Sequence, residues 1–337
     1  MPRRLGALLL VLGLAAFGCN KKKSNESVGP SPEITGLAAV PASAQVVIAA
    51  DVGKLSGSPI VARAVDQLLM RDPTLAANWQ HVQESCKLDL PRQIKHVMLA
   101  IGPSAKDAAT GTGPVLMIAT GTIAETELST CVRTLVGKGG GTLTAKPSAG
   151  RTIYQVKDGN RLMFFAFGRA DTVVLGTSEA YVTEALGLGQ KLSDNPEMKG
   201  WLKLVDQRAP VWAVGRVDDR VGQGLVAVSQ GKIAKQPQAI VATLDPTDGA
   251  KVDLGVVMPD GDVAKSLESF AKNELGLVSM AAQMKSLGKV VNQVTISTES
   301  NVVRLRAALT MEQVNQLLSV LDEGGGPAQG SPAPQPK

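Results

Sequence analysis

The sequence predicts an α+β fold: mainly antiparallel sheets with helices packed on one face, and signs of two related halves. Three observations lead there. Capped helix starts, each followed by one apolar stripe, alternate with short apolar runs of strand length. Several of those runs are paired through Gly, Asp or Asn turns, which is hairpin chemistry. The order of elements in the first half also recurs in the second. Hairpins mixed with helices favour an antiparallel α+β arrangement over a doubly wound one.

The elements follow in chain order. Residues 45–50 read as the first strand. Ser58-Pro59 is a cap followed by proline at the first helical position, and Ile60, Val61, Ala64, Val65, Leu68 and Leu69 form one stripe behind it. Asp72-Pro73 starts a second helix with Leu75, Trp79, Val82 and Cys86 on one face. Strands are expected at 96–101 and 114–120. Thr122 and Glu125 have capping-box spacing, ahead of a helix that buries Leu128, Cys131, Val132 and Leu135. Residues 151–156 and 161–167 flank the turn Asp158-Gly159-Asn160, and 172–176 follow. Asn195-Pro196 opens a helix carrying Met198, Trp201, Leu202 and Val205. Strands at 211–217, 239–244 and 251–258 come next, the last two joined through Asp248-Gly249. A helix over Lys265–Leu275, strands at 291–298 and 302–309, and a helix behind the Thr310/Gln313 pair complete the list.

The recurrence is specific enough to align. The strands at 96–101 and 114–120, followed by the helix bearing Leu128 and Cys131, match those at 239–244 and 251–258, followed by the helix bearing Leu267 and Phe270. Each half opens on a strand ending in Asp, at Asp51 and Asp218. Two such units can lie side by side as a pseudo-two-fold pair or join into one larger sheet.

The N-terminus carries the firmest functional signal. Met1-Pro2-Arg3-Arg4 is basic, Leu5 to Phe17 is apolar, and Ala16-Phe17-Gly18 precedes Cys19. A basic start, an apolar stretch of about 7–15 residues and a small-residue ending make a secretory signal. The stretch is shorter than the roughly 20 residues a spanning helix needs. Gly18-Cys19 resembles the lipobox of bacterial lipoproteins, with Ala16 standing where that family usually has Leu. The resemblance implies a signal peptide over 1–18, acyl chains on Cys19, and a mature chain held at a membrane. Asn20 is not Asp, which in the best-known sorting rule favours the outer membrane over the inner, with the globular part in the periplasm. The alternative is ordinary secretion, with Ala16-Phe17-Gly18 as a small-x-small cleavage site.

Residues 19–33 read as a flexible tether, 34–205 and 206–323 as the two α+β halves, and 324–337 as a disordered Gly/Pro tail. Six of the 35 basic and two of the 30 acidic residues lie outside 34–323, so the globular part is close to neutral despite a formal net charge of +5. The basic excess belongs to the signal and to Lys21-Lys22-Lys23, beside the headgroups, where each cation contributes on the order of 1 kcal/mol at an anionic surface. Aromatics are 3% of the chain, too few for stacking platforms, so sugars and single-stranded nucleic acid lose ground. No nucleic-acid partner is expected.

Candidate chemistry is sparse. Cys86 and Cys131 lie on apolar helix faces of an exported chain and are expected to form a disulfide; two separate buried thiols are the alternative. His81 and Cys86 do not share a helix face, so no metal site is expected. His81 reads as a surface residue and His96 as a strand-edge residue. Ser229-Gln230-Gly231-Lys232 and Ser193-Asp194-Asn195 match pieces of a penicillin-binding site, but in reversed order and without Lys-Thr-Gly. The glycines from Gly137 to Gly141 follow a helix and read as a C-cap. Asp245, Asp248 and Asp253 read as turn residues. Lys146, Arg151, Lys157, Arg161 and Arg169 form a candidate basic edge for an anionic partner, or a solvated edge that blocks aggregation.

No motif implies a cofactor or names a reaction. The leading expectation is a membrane-anchored, non-enzymatic envelope lipoprotein that binds a protein partner or acts as a scaffold. The alternatives are a periplasmic carrier of lipids or other apolar ligands, with Leu162 to Phe167 lining a pocket, and a hydrolase whose site the spacing does not reveal.

Overall fold

The computed structural model describes residues 34–86, 89–105, 111–148, 150–187, 189–284 and 287–324. A 3-10 turn (Gly36–Ala39) leads into β1 (Val46–Asp51), α1 (Val52–Leu55), α2 (Pro59–Arg71), α3 (Pro73–Cys86), α4 (Leu90–Gln93), β2 (Ile94–Ile101) and β3 (Val115–Gly121). There follow α5 (Glu125–Lys138), β4 (Thr142–Ser148), β5 (Arg151–Asp158), β6 (Arg161–Arg169), β7 (Thr172–Gly176), α6 (Glu179–Leu186) and α7 (Pro196–Leu202). The second half holds β8 (Val211–Arg216), α8 (Asp219–Val228), β9 (Ala239–Asp245), β10 (Ala250–Val257), α9 (Gly261–Met284), α10 (Gly288–Val291), β11 (Thr295–Glu299), β12 (Val302–Leu309) and α11 (Met311–Gly324).

All strands join one twelve-stranded sheet in the order β11-β12-β10-β9-β8-β1-β2-β3-β7-β6-β5-β4. Every neighbouring pair is antiparallel. The chain is therefore α+β, as its hairpin turns predict. The two halves meet where β1 pairs with β8, Ile48 opposite Ala213. Outward from this seam the order matches on both sides: β1-β2-β3-β7-β6 against β8-β9-β10-β12-β11. The first half adds β5 and β4 beyond β6, with β4 as the outer edge. Lys146 and Pro147 stand exposed on that edge, both residues that discourage pairing with another chain.

Local sequence explains the element ends. The Ser58 hydroxyl caps α2 by accepting from the Val61 N–H at 3.3 Å. Asn195 Oδ1 accepts from the N–H groups of Glu197 and Met198 at 3.1 and 3.2 Å. Gln313 N–H donates to Thr310 Oγ1, and Thr310 N–H donates to Gln313 Oε1, a reciprocal capping box. Thr122 does not cap α5. Its N–H is committed to the Gln93 carbonyl, and the N-cap falls on Ala124 with no side-chain bond. Hairpin turns place Gly159 and Gly249 at φ +57° and +80°, a region an L side chain enters only with strain.

Strand alternation divides the core between two faces. On the front face Val47, Leu116, Ile118, Val174 and Val214 form one cluster with Tyr181 and Val182 of α6 and Met198 and Trp201 of α7. The back face carries two separate clusters. One sets Leu128 and Val132 of α5 and Leu75 and Val82 of α3 against Phe165, Val173 and Leu175. The other sets Val263, Ala264 and Leu267 of α9 against Ile296 and Val303. The long helices thus share one face, as expected, while the shorter α6 and α7 fill the front. Strand β6 is core: Met163, Phe165 and Phe167 enter the back cluster, and Phe164 and Ala166 the front one.

Candidate functional site

The sheet's back face is apolar across its whole centre. In β2, β1, β8, β9 and β10 the back-pointing residues fall into three rows by register. One row is Ile101, Val46, Gly215, Ile240 and Val256; the next is Leu99, Ile48, Ala213, Ala242 and Leu254; the last is Val97, Ala50, Val211, Leu244 and Val252. All fifteen positions are apolar and none is fully buried. Ile48 and Ile240 are 37% and 41% exposed. At about 4.8 Å between strands and 3.4 Å per residue, these rows pave about 500 Å² of sheet.

The helices border this floor. α3 and α5 stand over the outer strands of the first half and α9 over those of the second. α2 runs along one end: its Ser58 hydroxyl donates to the Pro246 carbonyl at 2.6 Å in the β9–β10 turn, and Leu69 joins the cluster under α3 and α5. Arg63 donates to Asn315 of α11 at 3.0 Å, and α11 is tied to α10 through Gln313 and the Lys289 carbonyl. α2 has no buried residue. Its predicted apolar stripe is only half used, with Ala64, Val65 and Leu68 exposed, and Met70 beside it is exposed as well. At the far end of α9, Leu277, Val278 and Met280 are exposed as well.

On the front face, a hollow of about 450 Å³ lies over Ala49, Met98, Ile118 and Trp212, with Asp51, Lys54, His96 and Arg208 among its other lining residues. Asp51 Oδ2 lies 3.2 Å from the Lys54 ammonium and 3.8 Å from His96 Nε2. Its Oδ1 accepts from the Lys54 N–H as the cap of α1. Burial alone would raise the Asp51 carboxyl, but Lys54 and His96 outweigh it and hold the group below its ordinary value. The cluster is organised as a helix cap. His96 lies on an interior strand rather than at a sheet edge, and is exposed at the start of that strand.

The sequence-predicted residues distribute as follows. Cys19, the tether to residue 33 and the tail from residue 325 lie outside the described residues. Cys86 and Cys131 are joined as a disulfide between α3 and α5, Cα atoms 5.3 Å apart. The basic residues do not gather on one surface. Register puts Lys146, Arg151 and Lys157 on the front face and Arg161 on the back. Lys146 pairs with Glu179 at 2.7 Å, Arg169 with Asp171 at 3.3 Å, and Arg151 donates inward to the carbonyls of Phe167 and Gly168. Ser229 caps a turn, donating to the Val226 carbonyl and accepting from the Ile233 N–H. Asn195 is the cap of α7. Asp245 bonds Thr247 in a turn. Asp253 is different: it sits within β10 and binds Arg304 and Arg306 at 3.1 and 3.0 Å. Among the described residues no group of three His, Cys, Asp or Glu side chains could hold a metal ion.

The floor is the feature sequence reading missed. Its signal was present: Val46–Ala50, Val97–Ile101 and Val252–Val257 are apolar at nearly every position. Such runs mark strands whose two faces both seek cover.

No protein-family model matches the chain, and no curated protein matches it. Among solved structures it is similar to crystal form I of TP0453, at 11% identity and a TM-score of 0.46, over 89% of this chain and 99% of that one.

Proposed function

We propose that this chain is a bacterial envelope lipoprotein, held at a membrane by acyl chains on Cys19, that works by binding rather than by catalysis. One observation carries the binding reading: the apolar floor at the β1–β8 seam is bordered by helices, and at its centre Ile48 and Ile240 stay 37% and 41% exposed. Contiguous apolar surface of several hundred Å² on a folded chain marks an interaction site. The lipobox-like Gly18-Cys19 and the lysine-rich tether support the anchor. Among the described residues no helix is long and apolar enough to cross a membrane.

The test has two arms. Feeding a Gram-negative host a clickable palmitate should label the chain and leave it in the membrane fraction. Cys19→Ser should lose the label and release the protein. A photocrosslinking residue at Ile48 should capture a component of the envelope. An unlabelled, freely soluble wild-type chain would refute the anchor, and an Ile48 probe that captures nothing would refute the binding face. A protein partner is the second reading, favoured by the exposed Leu277, Val278 and Met280 of α9.

A further inference from the structure

Resting on that reading, we infer that the occupant of the floor is the hydrocarbon tail of a lipid. The chemistry of the floor selects it. None of the fifteen positions offers a polar side chain. The backbone beneath them is already paired on both sides, because all five strands are flanked by neighbours in the sheet. An added peptide strand therefore has no edge to pair with. Protein interfaces carry about one hydrogen bond per 100–200 Å², and this floor can supply none. Its area of about 500 Å² also falls short of the roughly 800 Å² per partner of a standard protein complex. A saturated chain asks for no hydrogen bond and loses none.

Dimensions agree. The five strands span about 19 Å between outer axes, and the three rows about 14 Å along the strands. One leaflet of the roughly 30 Å hydrocarbon layer holds tails about 15 Å long. At the border stands α2, fastened by the Ser58–Pro246 and Arg63–Asn315 hydrogen bonds and burying no side chain of its own.

The experiment uses the full chain in a Gram-negative host fed a fatty acid that bears both a diazirine and an alkyne. Label present without light reports acylation; label added by light reports a lipid in contact. Light-dependent adducts should map to peptides of β1, β8 and β9. Ala213→Phe and Ala242→Phe fill the floor without adding polarity, and should cut the light-dependent label at least fivefold with the dark label unchanged. Ile48→Asn serves as a second variant, since its side chain is already 37% exposed, with its fold checked by circular dichroism. Met280→Asn, at the end of α9, should leave both labels within twofold of wild type. Light-dependent adducts confined to residues 1–33, or unchanged in all floor variants, would overturn the inference. Capture of a protein but no lipid from an Ile48 photocrosslinker would overturn it too, while leaving the binding reading intact. Absence of the dark label would instead strike the anchor.

Discussion

Removing the Cys86–Cys131 bridge should cost about 2–4 kcal/mol, and the loss should be felt first in α3. The bridge spans 45 residues of sequence. In the chain-entropy account, closing a loop of that length lowers the unfolded-state entropy enough to stabilise by about 4 kcal/mol at 25 °C. Denatured-state structure and relaxation reduce such figures, which sets the lower bound. The bridge matters more here than its position in the chain suggests. α3 anchors on the sheet through few buried side chains, chiefly Leu75 and Val82, and the disulfide ties its last residue to the well-packed α5. The assay is urea denaturation followed by circular dichroism, on the full chain with and without reductant and on Cys86→Ala/Cys131→Ala. The reduced wild type and the double variant should agree, which separates loss of the bond from loss of the sulfur atoms. Hydrogen exchange should show residues 73–86 opening well before β1 and β8. A midpoint shift worth less than about 1 kcal/mol in both forms would refute the reasoning, as would unchanged protection in α3.

Other consequences are as direct. Arg304 is 10% exposed, holds Asp253 at 3.1 Å and donates to the Leu204 carbonyl at 2.7 Å. Arg304→Met should therefore destabilise by about 2–4 kcal/mol, because it strands the Leu204 carbonyl and leaves Asp253 to Arg306 alone; a denaturation midpoint equal to wild type would contradict this. Asn195→Ala removes the acceptor for two N–H groups at the start of α7 and should cost about 1 kcal/mol, whereas Asn195→Asp should cost little. Asp51 has a folded pKa below its unfolded one, so its charge stabilises above the unfolded value near 4 and that contribution fades as pH falls through the folded one. Compared with Asp51→Asn, which keeps the cap, the wild type should hold its advantage down to about pH 5 and lose it below about 4; an advantage undiminished at about pH 2 would reverse the assignment.

Local chemistry made much of this fold legible, and its failures have local causes. Ser58-Pro59, Asn195-Pro196 and Thr310/Gln313 cap helices as their spacing predicts, because each signal is satisfied within one turn. Thr122 fails because its backbone was claimed by Gln93, 29 residues earlier in the chain. Strand β4 escaped notice because an exposed edge needs no apolar alternation: Thr142 to Ser148 packs little beyond Leu143. α8 was masked by Gly222 and Gly224, both poor helix formers. A strand expected at 291–298 begins only at Thr295, because Gly288–Val291 closes a helical turn first. The face each side chain takes depends on register between strands far apart in sequence, such as Asp51 against His96 or Val211 against Leu244. No periodicity within one segment fixes that, so both the scatter of the basic residues and the unity of the floor emerged only in three dimensions.

The position of the floor follows from how the two halves are joined. In each half the long helix follows the third strand, α5 after β3 and α9 after β10, and packs back over its own outer strands. At the seam, β1 and β8 are the inner strands of both halves, so neither long helix reaches them from behind. On the front α7 and the Gly36–Ala39 turn pack on the seam, with Val47, Val214, Trp201 and Ala39 in one cluster. The last helices break the symmetry. α6 covers the front of the first half, while α11 is bonded to α2 and α10. The front of the outer second half is left to the ion pairs of Asp253, Glu299, Arg304 and Arg306. Charge thus solves the exposure problem where a helix is missing from the front. At the back of the seam no charge was placed. A surface that water reaches, that charged residues avoid at fifteen successive register positions, and that a marginally held helix borders is why we propose a covering group from outside the chain.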